Sequence, residues 1–386
     1  MTMHPIYLDN NATTSLEPRV LEAMIPFMQE QFHNPSSAYR GGAEARAAVE
    51  RARKTIADTL HCARDEIVFC SCGTEANNLA IRGVLQTAKS DGGGHLITSV
   101  IEHPAVLETV RALASQGAAV TEVPVSSDGV LRFDVLEEAL RPDTRLISVM
   151  CANNETGVLQ PVREIAEAAA SRRILFHMDA VQAAGKMPLD FEQSGADLIS
   201  VSGHKIHGPK GIGLLYVRRN TPVAPLLTGG GQEGGLRSGT ENVPAIVGLA
   251  QAVRIATERL DVCTKKMKRL RDRFEAAVTS ALPDVVVLGA AAPRLCNTSA
   301  LILPGVDGES AVLGADLSGV QISTGSACAS GDETPSHVLL AMGCASRDAQ
   351  GAVRVSLSKL NTEEEIDFAA NALIQTVRRL RALSTL

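Results

Sequence analysis

Apolar and polar positions alternate in a regular order over residues 66–217. Short apolar runs predict strands, and the segments between many of them have apolar residues at helical spacing. Strands that are continuous apolar runs separated by helices indicate a mainly parallel sheet covered on both faces. Seven strands are predicted, at residues 67–69, 95–99, 119–123, 146–150, 175–178, 198–201 and 212–217, with helices at 75–86, 104–116, 133–141 and 162–171.

The alternation of strands and helices ends near residue 220. Residues 228–240 are too rich in glycine for the interior of a helix or strand, so they predict a long loop. A long helix is expected at 243–279, and Thr362 with Glu365 forms a capping box that begins the last helix. The rest of this part predicts an α+β unit with strands at 297–303, 320–323 and 353–357.

We therefore expect two domains. The large domain spans residues 15–260, and the small α+β domain is formed by residues 1–14 together with 261–386. One more helix is predicted near the N-terminus by apolar residues on a single face, after Pro18: Val20, Met24, Phe27 and Met28.

Composition narrows the class of protein. The chain has 386 residues, 45% hydrophobic and 21% charged, as in an ordinary soluble globular protein. A formal net charge of −6 argues against a nucleic-acid binder, which carries a basic face. No apolar run predicts a membrane span, and the first residues lack the features of a secretory signal. We expect a cytoplasmic protein whose eight cysteines are mostly reduced.

The most informative polar run is Ser-Gly-His-Lys at residues 202–205, directly after an apolar strand. Burial and nearby polar groups lower the pKa of a lysine until its neutral amine becomes a nucleophile able to form a Schiff base. The side chains of Ser202 and His204 are suited to hold a phosphate beside Lys205. Taken alone, the run also fits a basic surface turn.

Asp179 ends another predicted strand. Alone it fits a helix cap equally well, but together with Lys205 it suggests a pyridoxal phosphate site. In such a site a carboxylate pairs with the protonated pyridine nitrogen and keeps the ring an electron sink. Gly73 and Thr74 follow a strand and open a helix, so their backbone N–H groups and the Thr74 hydroxyl would cradle a phosphate.

Cys328 lies in a small, polar and flexible segment at residues 323–335. A buried structural cysteine prefers apolar neighbours, so this setting favours a reactive thiol. Cys70 and Cys72 stand two residues apart, but no second pair lies at zinc-site spacing, so no metal is expected.

These residues are part of a series of motifs that resembles the cysteine desulfurases of the class-V aminotransferase family, in particular their long-loop, nitrogen-fixation and iron–sulfur branch. The resemblance covers essentially the whole chain, in the family's order and spacing. It implies a homodimeric pyridoxal phosphate enzyme of fold type I, the aspartate-aminotransferase fold. The motifs are YLDNNATT (7–14), NPSS (34–37), GTE (73–75), EH (102–103), NNETG (153–157), DAVQ (179–182), SGHK (202–205), RSGT (237–240) and SAC (326–328).

The resemblance implies a role for each matching residue around the cofactor. Lys205 matches the Schiff-base lysine, and His103 the histidine that stacks on the pyridine ring and helps to move protons. Asp179 matches the acid that pairs with the ring nitrogen, and Gln182 the group that contacts the ring hydroxyl. Asn154 falls beside cofactor and substrate.

Further matches concern the phosphate, the substrate and the sulfur. Arg354 and Asn34 match the groups that hold the substrate carboxylate, with Arg354 as a bidentate fork. Cys328 matches the nucleophilic cysteine, and Thr240 the threonine that reaches the phosphate of the neighbouring subunit. The phosphate ligands of the same subunit match four residues: Gly73, Thr74, Ser202 and His204.

The chain departs from the family pattern in three places. Tyr39 stands where a histidine is usual, and Cys72 replaces the usual glycine before Gly73. The sequence also ends at Leu386, without the C-terminal tail with which the housekeeping iron–sulfur members dock the cluster scaffold. None of these departures removes a catalytic residue.

The activity that the resemblance implies is L-cysteine desulfuration. Cysteine displaces Lys205, the freed lysine and His103 move the Cα proton, and the Cys328 thiolate attacks the substrate sulfur, which leaves a persulfide and L-alanine. One alternative is another fold-type-I enzyme, a selenocysteine lyase or a small-amino-acid transaminase, against which Cys328 in its loop argues. The other is a non-catalytic sulfur carrier or scaffold, which would not need Lys205 and Asp179. The sulfur acceptor is left open among iron–sulfur scaffold, tRNA-thiolation and DNA-sulfur-modification proteins.

Overall fold

The structure is a computed structural model, and it describes residues 5–88, 94–324 and 335–384. The strands are β1 (Ile6–Tyr7), β2 (Ile67–Cys70), β3 (His95–Ser99), β4 (Ala119–Val123), β5 (Thr144–Met150), β6 (Leu175–Asp179), β7 (Leu198–Ser202), β8 (Gly213–Val217), β9 (Val286–Val287), β10 (Thr298–Ile302), β11 (Val320–Gln321) and β12 (Ala352–Ser356). The helices are α1 (Pro18–Gln29), α2 (Arg40–Leu60), α3 (Gly73–Ala88), α4 (Pro104–Ser115), α5 (Phe133–Ala139), α6 (Val162–Ser171), α7 (Val243–Glu258), α8 (Leu260–Ala281), α9 (Gly308–Asp316), α10 (His337–Ala341), α11 (Ser346–Gln350) and α12 (Glu363–Ser384).

The central element is a seven-stranded sheet in the order β2-β8-β7-β6-β5-β3-β4. Its strands β3 to β7 run parallel, and β8 is antiparallel to both of its neighbours. Successive side chains of a strand point to opposite faces. In β3, Leu96 packs in a cluster with α3 and α4, whereas Ile97 packs in a cluster with α2, α6 and α7. The predicted mainly parallel sheet of seven strands, covered on both faces, is confirmed.

A second core lies away from this sheet. It is built from side chains of α8, α9 and α12 with those of β10, β11 and β12, and it includes Leu8 from the start of the chain. Strand β1 pairs in parallel with β11, which joins the N-terminal residues to the C-terminal part of the chain. Because the two cores draw on these separate segments, we propose the domain division at residues 15–260, with 1–14 and 261–386 as the small domain.

Two helices differ from the prediction. The single helix expected at 243–279 is wrong, because the chain breaks at Arg259 (φ −124°, ψ 22°) between α7 and α8. The break lets α7 pack on the central sheet and α8 on the second core. Helix α2 is absent from the prediction, although its small buried residues follow helical spacing: Ala45, Ala48, Val49, Ala52 and Ile56.

The start of the last helix agrees with the prediction. The Glu365 backbone N–H donates to Thr362 Oγ1 at 3.2 Å, and the Thr362 N–H donates to Glu365 Oε2 at 3.1 Å, so the capping box is confirmed. Over the three described stretches of chain, none of the helices has the length and apolar character that a membrane span requires.

Candidate active site

A cavity of about 420 Å³ lies at the carboxyl ends of the central parallel strands. Met150, Asp179 and Ser202 line it, and each is the last residue of its strand, β5, β6 and β7. This edge is where ligands bind in open parallel sheets, because the loops that follow the strands gather there. The cavity brings together ten of the residues predicted from the sequence: Gly73, Thr74, His103, Asn154, Asp179, Gln182, Ser202, His204, Lys205 and Arg354.

Asp179 is only 6% exposed, and its carboxylate is held on both oxygens. Oδ1 accepts the Val181 N–H at 2.9 Å, and Oδ2 accepts the Asn77 side-chain N–H at 2.7 Å. Two such hydrogen bonds restrict the rotation of the carboxylate. The side chain is therefore suited to pair with a cationic nitrogen in the cavity.

Lys205 ends a short 3-10 turn that follows β7 directly. Its Nζ donates to the carbonyl of Asn11 at 2.5 Å and to that of Ala12 at 2.7 Å. The amine is thus directed to the N-terminal segment of the chain at the wall of the cavity.

His103 caps the N-terminus of α4. Its Nδ1 accepts the Ala105 backbone N–H at 3.1 Å, so the proton of the neutral ring lies on Nε2. Burial lowers the pKa of His103 below its ordinary value; Asp179 opposes this, and the positive charges of Lys205 and His337 add to it. A neutral imidazole with a fixed tautomer is suited to donate and recover a proton at Nε2.

Another group of cavity residues is suited to bind a phosphate. Gly73 begins α3, and a Cβ at this position would lie 2.8 Å from Val181 Cγ2, so a side chain would fill the space beside the helix N-terminus. Ser202 is 1% exposed, and its Oγ has no hydrogen-bond partner among the described residues. Buried polar atoms are normally hydrogen-bonded, so this hydroxyl indicates that a bound ligand completes the site.

His204 lies beside Lys205 at the same cavity. Burial and the positive charges of Lys205 and Lys210 lower the pKa of His204 to about 4, so its ring is neutral near pH 7. Its Nδ1 lies 3.1 Å from Thr13 Oγ1. Together with the Asp179 carboxylate, the Lys205 amine and the Ser202 hydroxyl, this donor set fits pyridoxal phosphate.

Arg354 enters the cavity from β12, which belongs to the second core. Its Nη2 donates to Asp9 Oδ1 at 2.6 Å, and its Nη1 donates to the Asn154 carbonyl at 3.1 Å. These bonds orient a buried guanidinium toward the same space as Lys205. A guanidinium in this position is suited to bind the carboxylate of an amino acid.

Two of the described residues that were predicted as site residues do not line the cavity. Asn34 is exposed in the loop after α1, where its Oδ1 accepts the Ser36 N–H at 2.9 Å, so its place at the substrate carboxylate stays a prediction. Thr240 is also exposed and does not line the cavity. Cys328 falls outside the described residues.

The structure adds residues that sequence reasoning missed. Asn11 and Asn77 line the cavity, and both lie in or beside motifs that were recognised, YLDNNATT and GTE. His337 also lines it, and its ring Nε2 donates to the Glu102 carbonyl at 3.0 Å. Glu102, next to His103 in the sequence, is fully buried, and this burial raises the pKa of its carboxyl well above the ordinary range.

The two residues that depart from the family pattern, Cys72 and Tyr39, have different surroundings. Cys72 lines the cavity next to Gly73, as its place before the phosphate segment predicts. Tyr39 is 58% exposed and lies edge-on to the ring of His33, with ring centroids 5.9 Å apart.

Replacing Asp179 by alanine should weaken cofactor binding and lower turnover by about 100-fold or more, a loss of about 2.7 kcal/mol. The reason is that an unprotonated pyridine withdraws electrons poorly. Alanine production and a cofactor titration measure the two effects. Asp197→Ala is the matched control, because this carboxylate accepts the Phe176 N–H at 2.9 Å but lies outside the cavity. Near-normal turnover of Asp179→Ala would mean that the ring nitrogen has another partner.

Comparison with known proteins agrees with this geometry. The family model described as "Aminotransferase class-V" matches residues 6–368. The cysteine desulfurase of Nostoc sp. is 46% identical over 382 residues, which cover 99% of this chain and 95% of the relative. The solved structure of a NifS-like protein superimposes with a TM-score of 0.90 at 40% identity, covering 99% of this chain and all of that one.

A second similar structure, described as SspA in complex with cysteine, has a TM-score of 0.80 at 36% identity and covers 92% of this chain and all of that one. These structural neighbours confirm fold type I, and the family depends on pyridoxal phosphate. The chain belongs to the cysteine desulfurases of the class-V aminotransferase family.

Proposed function

We propose that this protein removes sulfur from L-cysteine and passes it to Cys328 as a persulfide, with L-alanine as the second product. The observation that carries the proposal is the cavity in which an amine, a carboxylate, an imidazole and a guanidinium meet: Lys205, Asp179, His103 and Arg354. The similarity to cysteine desulfurases over 99% of the chain supports the same reaction.

Bound pyridoxal phosphate supplies an aldehyde carbon that attaches covalently to an amine and a ring that withdraws electrons from it. Asp179 would hold the ring nitrogen in its protonated form, and His103 would lie over the ring. Ser202, His204 and the N-terminus of α3 would bind the phosphate. Gln182 would contact the ring hydroxyl.

Arg354 would bind the carboxylate of cysteine, because Asp9 and the Asn154 carbonyl already orient its guanidinium. Lys205 would then be released as a neutral amine beside the substrate Cα. It would take the Cα proton and, with His103 Nε2–H, return a proton to the product.

The sulfur step is balanced without an added oxidant. The Cys328 thiolate forms an S–S bond with the substrate sulfur while the Cβ–S bond breaks. The electron pair of that bond stays on Cβ, which takes up a proton and becomes the methyl group of L-alanine. Cysteine and the enzyme thiol are thus converted into alanine and an enzyme persulfide.

Turnover of ³⁵S-labelled L-cysteine tests this proposal directly. Alanine should form with one labelled sulfur on Cys328 in the first turnover, and reductant should release that label. A keto acid in place of alanine would instead indicate a transaminase. Reaction with selenocysteine but not with cysteine would indicate a selenocysteine lyase, and no product at all would indicate a sulfur carrier.

A homodimer is part of the proposal, because two predicted site residues lie away from the cavity of their own chain. Asn34 and Thr240 are exposed, so a second copy could bring either of them to a neighbouring cavity. The helix and loop beside Asn34 also expose large apolar side chains, which a partner surface would bury: Leu21, Ile25, Met28, Phe32 and Tyr39.

Mixing two inactive variants, Lys205→Ala and Thr240→Ala, should restore part of the activity if sites are shared. A heterodimer then has both changes in one site and an intact second site. At random exchange about half of the dimers are mixed, so about a quarter of the wild-type sites should recover. Activity that stays at background despite subunit exchange verified by mass spectrometry would contradict sharing.

The acceptor is proposed to be a cytoplasmic protein that takes the persulfide sulfur: an iron–sulfur scaffold, a tRNA-thiolation protein or a DNA-sulfur-modification protein. A persulfide relay needs reduced thiols, and the seven cysteines among the described residues form no disulfide with one another. Loading the protein with ³⁵S-cysteine, adding native cytosol and identifying the labelled proteins would distinguish these acceptors.

A further inference from the structure

A second lysine lies buried behind the cavity and has no part in the proposed reaction. Lys186 is 7% exposed, in the turn that follows β6, and it does not line the 420 Å³ cavity. Its Nζ donates to Gln182 Oε1 at 2.8 Å and lies 3.5 Å from Asn11 Oδ1. Burying an amine is costly, so a lysine in this position needs a compensating role.

We propose that Lys186 is a positioning residue that fixes the orientation of the Gln182 side-chain amide toward the cofactor. A protonated lysine only donates hydrogen bonds, so the Gln182 oxygen must face Lys186. The Gln182 nitrogen then faces the Asn11 carbonyl, which only accepts, and the two groups are 3.0 Å apart. Both neighbours therefore require the same orientation of the amide.

This orientation leaves one N–H of Gln182 Nε2 without a partner among the described residues, in a side chain that lines the cavity. That N–H can donate to the oxygen on the cofactor ring. With the amide reversed, Gln182 would present an oxygen to the ring oxygen, and the two acceptors would repel each other. The inference thus rests on the proposed function, because it assigns how this chain recognises the ring hydroxyl.

The same contacts reach the reactive lysine. The Asn11 carbonyl accepts both the Gln182 amide at 3.0 Å and the Lys205 amine at 2.5 Å. Asn297 Nδ2 donates to Asn11 Oδ1 at 3.0 Å, which holds that residue from the side of the second core. Lys186 therefore orients Gln182 directly and helps to orient the main chain that Lys205 contacts.

The charge on Lys186 depends on its surroundings. Burial lowers the pKa of Lys186 to about 7; the positive charge of Lys205 adds to this, Cys296 opposes it, and Arg354 adds further. The positive charge of Lys186 in turn contributes to lowering the pKa values of His204 and His207. Because the pKa is lowered, the ammonium is present below about pH 7 and is lost as the pH rises through this value. The neutral amine can accept as well as donate, so it no longer dictates the Gln182 orientation.

A double-mutant cycle tests the proposal with cofactor binding as the readout. The apo forms of wild type, Lys186→Met, Gln182→Leu and the double variant are titrated with pyridoxal phosphate at pH 6.5, below the pKa of about 7 given above. We expect Lys186→Met to raise the dissociation constant about 10-fold, which is about 1.4 kcal/mol, and to have no further effect once Gln182 is leucine. Equal weakening in both backgrounds, or no weakening in the single variant, would overturn the proposal.

Three controls separate positioning from a loss of packing. Lys186→Arg, whose guanidinium only donates, should bind the cofactor more tightly than Lys186→Met, and binding as weak as that of Lys186→Met contradicts the proposal. Lys266→Met removes another partly buried ammonium, one that donates to the Lys359 carbonyl at 2.8 Å outside the cavity, and should leave binding unchanged. Repeating the cycle at pH 8.5 should reduce the effect of Lys186→Met. The titration contains no cysteine, so it tests the role of Lys186 separately from the reaction. A protein that shows the expected coupling between Lys186 and Gln182 but produces no alanine would contradict only the proposed reaction.

Discussion

Lys205→Ala is expected to lose alanine production by about 1000-fold or more, a loss of about 4 kcal/mol of transition-state stabilisation. The alanine variant lacks both the amine that binds the cofactor covalently and the base that moves the Cα proton. Lys205 is suited to both because it lines the cavity and is held at 2.5 Å from the Asn11 carbonyl. Assay of alanine from cysteine, with added cofactor, measures the loss.

Borohydride treatment of the wild-type holoenzyme identifies the attached lysine, because reduction makes the bond to the cofactor permanent. Peptide mass spectrometry should find the adduct on Lys205. Two other lysines are close enough to serve as rivals: Lys186, buried behind Gln182, and Lys210, exposed on the turn after Lys205. An adduct on either would contradict the assignment, and Lys210→Ala should keep wild-type turnover.

Cys328→Ser is expected to stop sulfur transfer while cofactor and substrate still bind. Serine is nearly isosteric with cysteine, but its hydroxyl is not ionised near neutral pH and cannot form a persulfide. The variant should bind pyridoxal phosphate as the wild type does and change its absorption when L-cysteine is added. It should release alanine about 1000-fold more slowly, about 4 kcal/mol, and carry no ³⁵S label after non-reducing gel electrophoresis.

Cys72 is the thiol that makes a matched control for this experiment. It lines the cavity beside Gly73, so it is the described cysteine best placed to replace the assigned nucleophile. Cys72→Ser should remain largely active and should still label Cys328. An inactive Cys72→Ser together with a normally active Cys328→Ser would show that the sulfur is accepted at the phosphate end of the cavity.

Much of the active site is predictable from sequence because of the parallel sheet. Asp179 and Ser202 directly follow two predicted strands and end the observed strands β6 and β7, and parallel strands bring their carboxyl ends to one edge. Periodicity is therefore enough to expect that Asp179, Ser202 and Lys205 meet, even though the first and last of them are 26 residues apart in sequence. Their assignment to a ring nitrogen, a phosphate and an aldehyde follows from the motifs.

Other features depend on contacts that sequence spacing does not reveal. Arg354 meets Asp9 and the Asn154 carbonyl only because the second core brings β12 against the N-terminal segment. The break between α7 and α8 has no proline or glycine to predict it, because the reason for it is that the two helices pack on different cores. Asn34 illustrates the reverse case, since its motif predicts a site residue but its own chain holds it on the surface.

Local pattern and residue chemistry are thus sufficient to predict the sheet, its ligand-binding edge, the cofactor class and most of the predicted site residues that line the cavity. Burial cannot be predicted in this way, because it depends on how the whole chain folds. It decides which side chains are charged and how they are oriented. Lys186 appears in the sequence as an ordinary lysine after a glycine. Only the folded chain surrounds it with Gln182 and Asn11, lowers its pKa to about 7 and aligns it with the reactive Lys205, since desolvation and a neighbouring positive charge act through space.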